Sequence, residues 1–197
     1  MVVSAAAVVA LLPASGRAAP RPSWRVTRSD VRVVCPLTLG GSFEARTASL
    51  RGTLLLDTSR PIALTGDLLV DLRTLDSGIG LRNEHLRDVY LEVGRGEGFD
   101  TAVLSGIALG DVDAETFHGR TRFSGTLLLH GSRNTITGQA EIVRQPGSVR
   151  VEATFPLALA DYGITKPQYL GVGVRDQVQV RVSLWATPVE TAGVGER

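Results

Sequence analysis

The sequence predicts an all-β domain with one short helix, folded as an antiparallel sandwich or as a barrel closed on itself. Three observations carry this. Apolar and polar residues alternate with a period of two over most of the chain, polar turn formers separate the alternating runs, and only one segment has helical character. The length of 197 residues suits a single domain. An apolar share of 43% beside 21% charged residues excludes a disordered chain. Lys and Arg number 21 against 20 Asp and Glu, with no basic cluster interleaved with aromatics, which argues against a nucleic-acid partner.

The first element is the opening "MVVSAAAVVALLPASGRAAP". Val2 to Leu12 is an uncharged apolar run of signal-peptide length, too short to span a bilayer, and Pro13 ends it. Cleavage after Ala18 would leave Gly16 and Ala18 in small-x-small positions, although no Lys or Arg precedes the run. Residues 1–18 are accordingly read as a signal peptide, 19–187 as the folded domain without a transmembrane anchor, and 188–197 as a flexible polar tail. Cys35 is the sole cysteine, so no internal disulfide forms, and its apolar surroundings fit a buried thiol.

The strands follow. In "GDLLVDLRT", Leu68, Val70 and Leu72 take one parity and Asp67, Asp71 and Arg73 the other. "TITGQAEIV" places Ile136, Gly138, Ala140 and Ile142 together. "SVRVEATFPL" sets Val149, Val151, Ala153, Phe155 and Leu157 against polar neighbours, and "QVQVRVSLWA" does the same with Val178, Val180, Val182 and Leu184. Each run reads as a strand with one buried and one wet face. Turns are expected at Leu39–Ser42, Asp57–Pro61, Gly94–Gly98, His130–Asn134 and Arg144–Ser148. A large antiparallel sheet avoids exposed edges by closing, and about eight strands leave room for one small ligand. Aromatics are only 5% of the chain and several inward positions are Ala or Gly, which favours an unfilled interior over a packed one.

The helical candidate is "SGIGLRNEHLRDVYLEV", Ser77 to Val93. Asp76 or Ser77 is expected to cap it, with Ile79, Leu86 and Tyr90 on one face and Arg82 and Val89 beside them. Its charges invite a chemical reading: Glu84 and Asp88 lie four apart, and His85 could work as an acid–base group with either. The simpler reading pairs Glu84 with Arg87 and lets His85 hydrogen-bond backbone at a barrel mouth. Elsewhere no paired histidines, nucleophile elbow or phosphate loop occurs, so neither a metal, a cofactor nor a catalytic residue is assigned.

Four places in order, over roughly Trp24 to Ala186, resemble the YceI-like family of lipocalin-like proteins. They are "WRVTRSDVRV" with "GGSFEA", the core "LRNEHLRDVYLEV", the hairpin "GTLLLHGSRNTIT", and "LADYGITKPQYLGVGVRDQVQVRVSLWA". The core carries the most specific match, at Arg82, Asn83, His85, Leu86 and Arg87. The resemblance implies an eight-stranded antiparallel lipocalin-like barrel with one short helix closing an end, exported in bacteria to the periplasm or beyond, holding a polyisoprenoid, an isoprenoid quinone or a similar amphiphile. One stretch departs from the family pattern: "GRGEGFDTAVLSG" replaces its usual Pro-containing turn, and the Gly-rich loop is expected to be loose. Strand alternation nominates Val70, Leu72, Phe123, Leu127, Val151, Phe155, Val180 and Leu184 as the ligand-facing wall. An enzyme acting on such a lipid through His85 with Glu84 or Asp88, and a packed barrel serving as a protein-interaction module, are the alternative readings.

Overall fold

Long alternating strands with apolar inner faces must either pack on a second layer or curl round, and here they curl. The computed structural model describes residues 23–57, 62–110, 112, 116–169 and 172–189. The expected signal peptide lies outside them, as does the tail beyond Val189; the last strand itself runs through Val189.

Strand β1 (Ser23–Pro36) opens the barrel and β12 (Gln177–Val189) closes against it, antiparallel. On its other side β1 pairs with β2 (Ser42–Thr47) and β3 (Arg51–Asp57) in one unbroken register, Val31 facing Thr47 and Arg25 facing Thr53. These two segments are halves of one strand, interrupted at residues 48–50. Inward-facing Ser29 accounts for part of the interruption: its hydroxyl, buried in an apolar wall, donates to the carbonyls of Ala48 (3.0 Å) and Leu50 (3.2 Å). A bulge between Val26 and Arg28 moves the inward set of β1 from Trp24 and Val26 to Ser29, Val31 and Cys35.

Segments β4 (Ala63–Thr65) and β5 (Leu68–Asp71) likewise share one strand position between β3 and β6 (Thr101–Leu109). Gly66, at φ +123°, marks the bend, since a Cβ there would sit 2.3 Å from the Thr53 carbonyl oxygen. The meander continues through β7 (Gly119–Leu129), β8 (Ser132–Gln145) and β9 (Ser148–Ala158) to β12. Eight antiparallel strand positions therefore close into a barrel, the far side of β2 being met only by the isolated bridge between Arg46 and Asp76. The β7–β8 turn has both central residues in the left-handed region, His130 (φ +49°) and Gly131 (φ +72°), as a two-residue hairpin with right-handed twist requires.

The two ends differ. Two long excursions leave the barrel at the end where β1 finishes. The first runs from Leu72 to Asp100 and contains α1 (Gly80–Glu84), continued by a π-helical turn (His85–Tyr90). The second, residues 159–176, joins β9 to β12 and contains a helical turn (Leu159–Tyr162) and the two-residue strands β10 (Gln168–Tyr169) and β11 (Val172–Gly173). Among the described residues no helix is long and apolar enough to cross a membrane.

Candidate functional site: an apolar cavity and its cover

Inside the barrel is a cavity of about 260 Å³ whose lining is apolar throughout. All eight residues nominated by strand alternation stand on its wall: Val70, Leu72, Phe123, Leu127, Val151, Phe155, Val180 and Leu184. Phe123 and Phe155 meet edge-on, with ring centroids 6.0 Å apart, and narrow the interior between them. Gly138 has the same inward parity but contributes space: a Cβ there would lie 2.6 Å from the Phe123 ring and 2.5 Å from the Thr154 carbonyl oxygen. Cys35 is also on the wall, and burial pushes its thiol up to about 11, so it stays neutral and poorly nucleophilic.

Sequence reasoning missed much of the wall. Leu50, Leu54 and Leu64 line it from the interrupted strands, Leu159, Ile164 and Val174 from the second excursion. The strand residues were obscured because short, broken strands show too few periods for alternation to register. The excursion residues follow no period at all.

The helical segment forms part of the roof, through Leu86, Tyr90 and Leu91. Two expectations about it are corrected. Neither Asp76 nor Ser77 caps the helix: Ile79 occupies the cap position without a side-chain bond, and Asp76 instead accepts from the Gly78 N–H (2.8 Å) and Asn83 Nδ2 (2.6 Å). Ile79, expected on the face of Leu86 and Tyr90, is 50% exposed, and Val89, expected beside that face, is 58% exposed. The physical reason is that the α-helix begins only at Gly80 and widens to a π-turn after Glu84, with Leu91 N–H donating to the Leu86 carbonyl at 3.0 Å. A 3.6-residue period no longer predicts which side chains face the cavity.

The five motif residues divide by task. Asn83 is a connector: its Oδ1 accepts from the backbone N–H and hydroxyl of Ser77 (2.7 and 2.8 Å), while its amide donates to Asp76. Arg87 donates through Nε (3.1 Å) and Nη2 (2.6 Å) to the Leu75 carbonyl, so the expected pairing with Glu84 is replaced by a bond that ties the roof to the turn leading into it. Asp76 extends the tie, exchanging backbone bonds with Arg46 on β2 (2.8 and 2.9 Å). Its carboxyl is held below the usual range chiefly by the Gly78 N–H, then by Asn83. Leu86 faces the cavity. Arg82 lays its guanidinium over the ring of Phe43, 4.5 Å from the centroid. His85 is exposed, as are Glu84 and Asp88, and no hydrogen bond joins it to either or to backbone.

The histidine that is engaged is His130, which was not nominated. Its side chain is only 10% exposed, its Nδ1 lies 2.9 Å from the Tyr162 carbonyl oxygen, and its Nε2 lies 2.9 Å from Glu92 Oε2. Each ring nitrogen therefore has an oxygen partner within hydrogen-bond distance, one on each excursion. Through this one side chain the β7–β8 turn joins the two excursions that cover the cavity. The Gly-rich stretch beside it is not loose. Gly131 N–H donates to the Gly98 carbonyl (2.8 Å), Phe99 meets the His130 ring edge-on at 4.8 Å, and Arg95 lies 3.8 Å over Phe99 while pairing with Glu92 at 3.0 Å. Arg95 first, and His130 after it, hold the Glu92 carboxyl below its usual range. A sequence signal existed: a type I′ turn position normally taken by Asn, Asp or Gly is here histidine.

Among the described residues no group of three or more His, Cys, Asp or Glu is arranged to hold a metal. The arrangement suits retention of an apolar molecule: a dry wall, a roof with an apolar underside, and polar contacts kept to the roof's margins.

The family model of the YceI-like domain matches residues 24–186. Among solved structures, the fold is similar to a polyisoprenoid binding domain from Saccharophagus degradans implicated in plant cell wall breakdown, at 18% identity over 84% of this chain and 98% of that one, with a TM-score of 0.63. It is also similar to Burkholderia cenocepacia BcnA, at 14% identity over 81% of this chain and 96% of that one, with a TM-score of 0.66. At such identities the likeness speaks for the fold. No protein of curated function matches the sequence.

Proposed function

The chain belongs to the YceI-like domain family, and on that premise we propose that it is an exported carrier that holds one polyisoprenoid, isoprenoid quinone or similar amphiphile inside its barrel. The observation that carries the proposal is the apolar cavity, on whose wall all eight residues nominated from alternation stand together. Its volume of about 260 Å³ exceeds that of an engineered dry cavity of about 150 Å³ that takes up benzene, and falls just below the roughly 300–1,000 Å³ of small-molecule sites. Each buried CH₂ contributes about 0.8 kcal/mol, so a five-carbon prenyl unit is worth about 4 kcal/mol in wall contacts alone. The likeness to a polyisoprenoid binding domain of Saccharophagus degradans supports the ligand class. The apolar run at Val2–Leu12, followed by small residues, supports export to the periplasm or beyond.

Neither alternative has an observation in its favour. A lipid-modifying enzyme built on His85 would need that side chain near the cavity, yet it and both carboxylates point to solvent. A solidly packed interaction module would have no internal void. The test of the carrier is mass spectrometry of organic extracts from protein purified from its native source, with prenyl alcohols and quinones offered to the stripped protein. Co-purification or uptake of such a lipid is expected. Protein that is always empty and takes up none of them would end the proposal.

A further inference from the structure

The polar motif side chains on the inner side of the helical segment are mostly committed to the protein itself. Asn83 is bonded through both ends of its amide, Arg87 gives its donors to the Leu75 carbonyl, and Asp76 accepts from two partners. Arg82 is different. Its guanidinium is half-buried against Phe43, a residue of the cavity wall, and no carboxylate or carbonyl among the described residues accepts a hydrogen bond from it. Stacking occupies a guanidinium's face and leaves its in-plane N–H donors available. Phe43 is the cross-strand neighbour of Cys35, another residue of the cavity wall, so the guanidinium stands beside the cavity, where its charge slightly opposes the burial that raises the Cys35 thiol. Cys35 is no counter-ion, because burial keeps it neutral. Glu84 and Asp88, the nearest carboxylates in sequence, lie exposed without bonding to Arg82.

A cation whose donors are unspent, stacked on a wall residue of a cavity whose lining surface is apolar, is suited to one kind of ligand. We propose that Arg82 is the head-group anchor of this site and that the ligand is an amphiphile with an oxyanion head, a phosphate or a carboxylate, on an apolar tail. This rests on the carrier reading above and sharpens it, since a neutral quinone or alcohol would leave the anchor unused. Phe43 sets the guanidinium plane, so that a two-oxygen head meets two parallel N–H donors.

Three probes share one tail: farnesol, farnesyl monophosphate and farnesoic acid, titrated calorimetrically into the stripped protein. Both anions are expected to bind at least about tenfold more tightly than farnesol, the scale of a hydrogen bond to a charged group. The better of the two identifies the head. Arg82→Gln should reduce that advantage to less than about threefold while leaving farnesol affinity as it was, which also reports that the cavity is intact. Arg82→Lys, keeping charge without the planar fork, should retain part of it. Equal binding of all three probes to the unaltered protein, or an undiminished preference in Arg82→Gln, would overturn the anchor and leave the carrier standing. Failure to bind any probe would remove both. Should Arg82→Gln fold poorly, the unaltered protein still decides, because an anchored anion must lose its advantage as salt is raised.

Discussion

The barrel wall and the cover at one of its ends are built on different physics. The wall is eight strand positions whose inner residues are mostly apolar, with a few buried hydroxyls such as that of Ser29, and its backbone bonds are repeated from strand to strand. The cover is two excursions held by a small number of individually identifiable contacts: Asp76 with Asn83, Arg87 with the Leu75 carbonyl, and His130 between Glu92 and Tyr162. Redundancy makes the wall stable and the fold recognisable. Scarcity makes the cover the part that can open while the barrel persists.

The largest effect should come from the wall. Gly138→Ala would drive a Cβ to 2.5 Å from the Thr154 carbonyl oxygen and 2.8 Å from Phe155 Cβ, and a β-sheet backbone has nowhere to withdraw. A loss of about 3 kcal/mol is expected, seen as a melting temperature roughly 6–12 °C lower. A change under about 1 kcal/mol would mean that the wall yields more readily than its packing implies.

Removing the cover's central contact should cost less and act locally. His130→Ala leaves the Tyr162 carbonyl and Glu92 without their shared partner, a loss of about 1–3 kcal/mol. Amide hydrogen exchange should quicken by tenfold or more over Leu91–Phe99 and Leu159–Ile164, with β8 and β9 unaffected. Uniform acceleration along the chain would erase the distinction between wall and cover.

Acid should act in the same place. Asp71, Asp76 and Glu92 all sit in the cover or at its root, and each has its folded-state value lowered, chiefly by Arg73, by the Gly78 N–H and by Arg95 respectively. A lowered carboxyl contributes stability that is complete above its unfolded value, about 4, and is lost as pH falls through the folded one. Below about pH 4 the cover should therefore exchange faster before the strands do. Simultaneous loss of both would contradict this.

How much of this was legible follows the same division. Alternation over Val149–Leu157 and Val178–Leu184 is uninterrupted, so parity there gives the inward face without ambiguity. The strand interrupted at residues 48–50 and the corner at Gly66 break the period, and Leu50, Leu54 and Leu64 went unseen with it. In the cover, Ile79 and Val89 were misplaced because a five-residue helix widening into a π-turn has no sustained period. His130 was overlooked for a different reason: its partners are 32 and 38 residues away, and no local pattern encodes a contact made by the closing of a barrel.

The two histidines at this end allow the smallest and sharpest comparison. His85 stands in the most charged stretch of the sequence, between Glu84 and Asp88, whereas His130 follows three leucines at the head of a turn. Density of charge, however, measures solvation as readily as function, and all three side chains of the first group face water. An exposed side chain with no hydrogen-bond partner stabilises little, so His85→Gln should alter stability by less than about 0.5 kcal/mol and move the melting temperature by no more than about 2 °C. Farnesol affinity, which depends on the wall, should not change. Beside the local loosening expected of His130→Ala, that silence would show that the engaged histidine is the one with long-range partners. A His85→Gln variant that lost lipid binding, or that abolished a turnover found in the unaltered protein, would reverse the assignment and return the charged segment to chemistry.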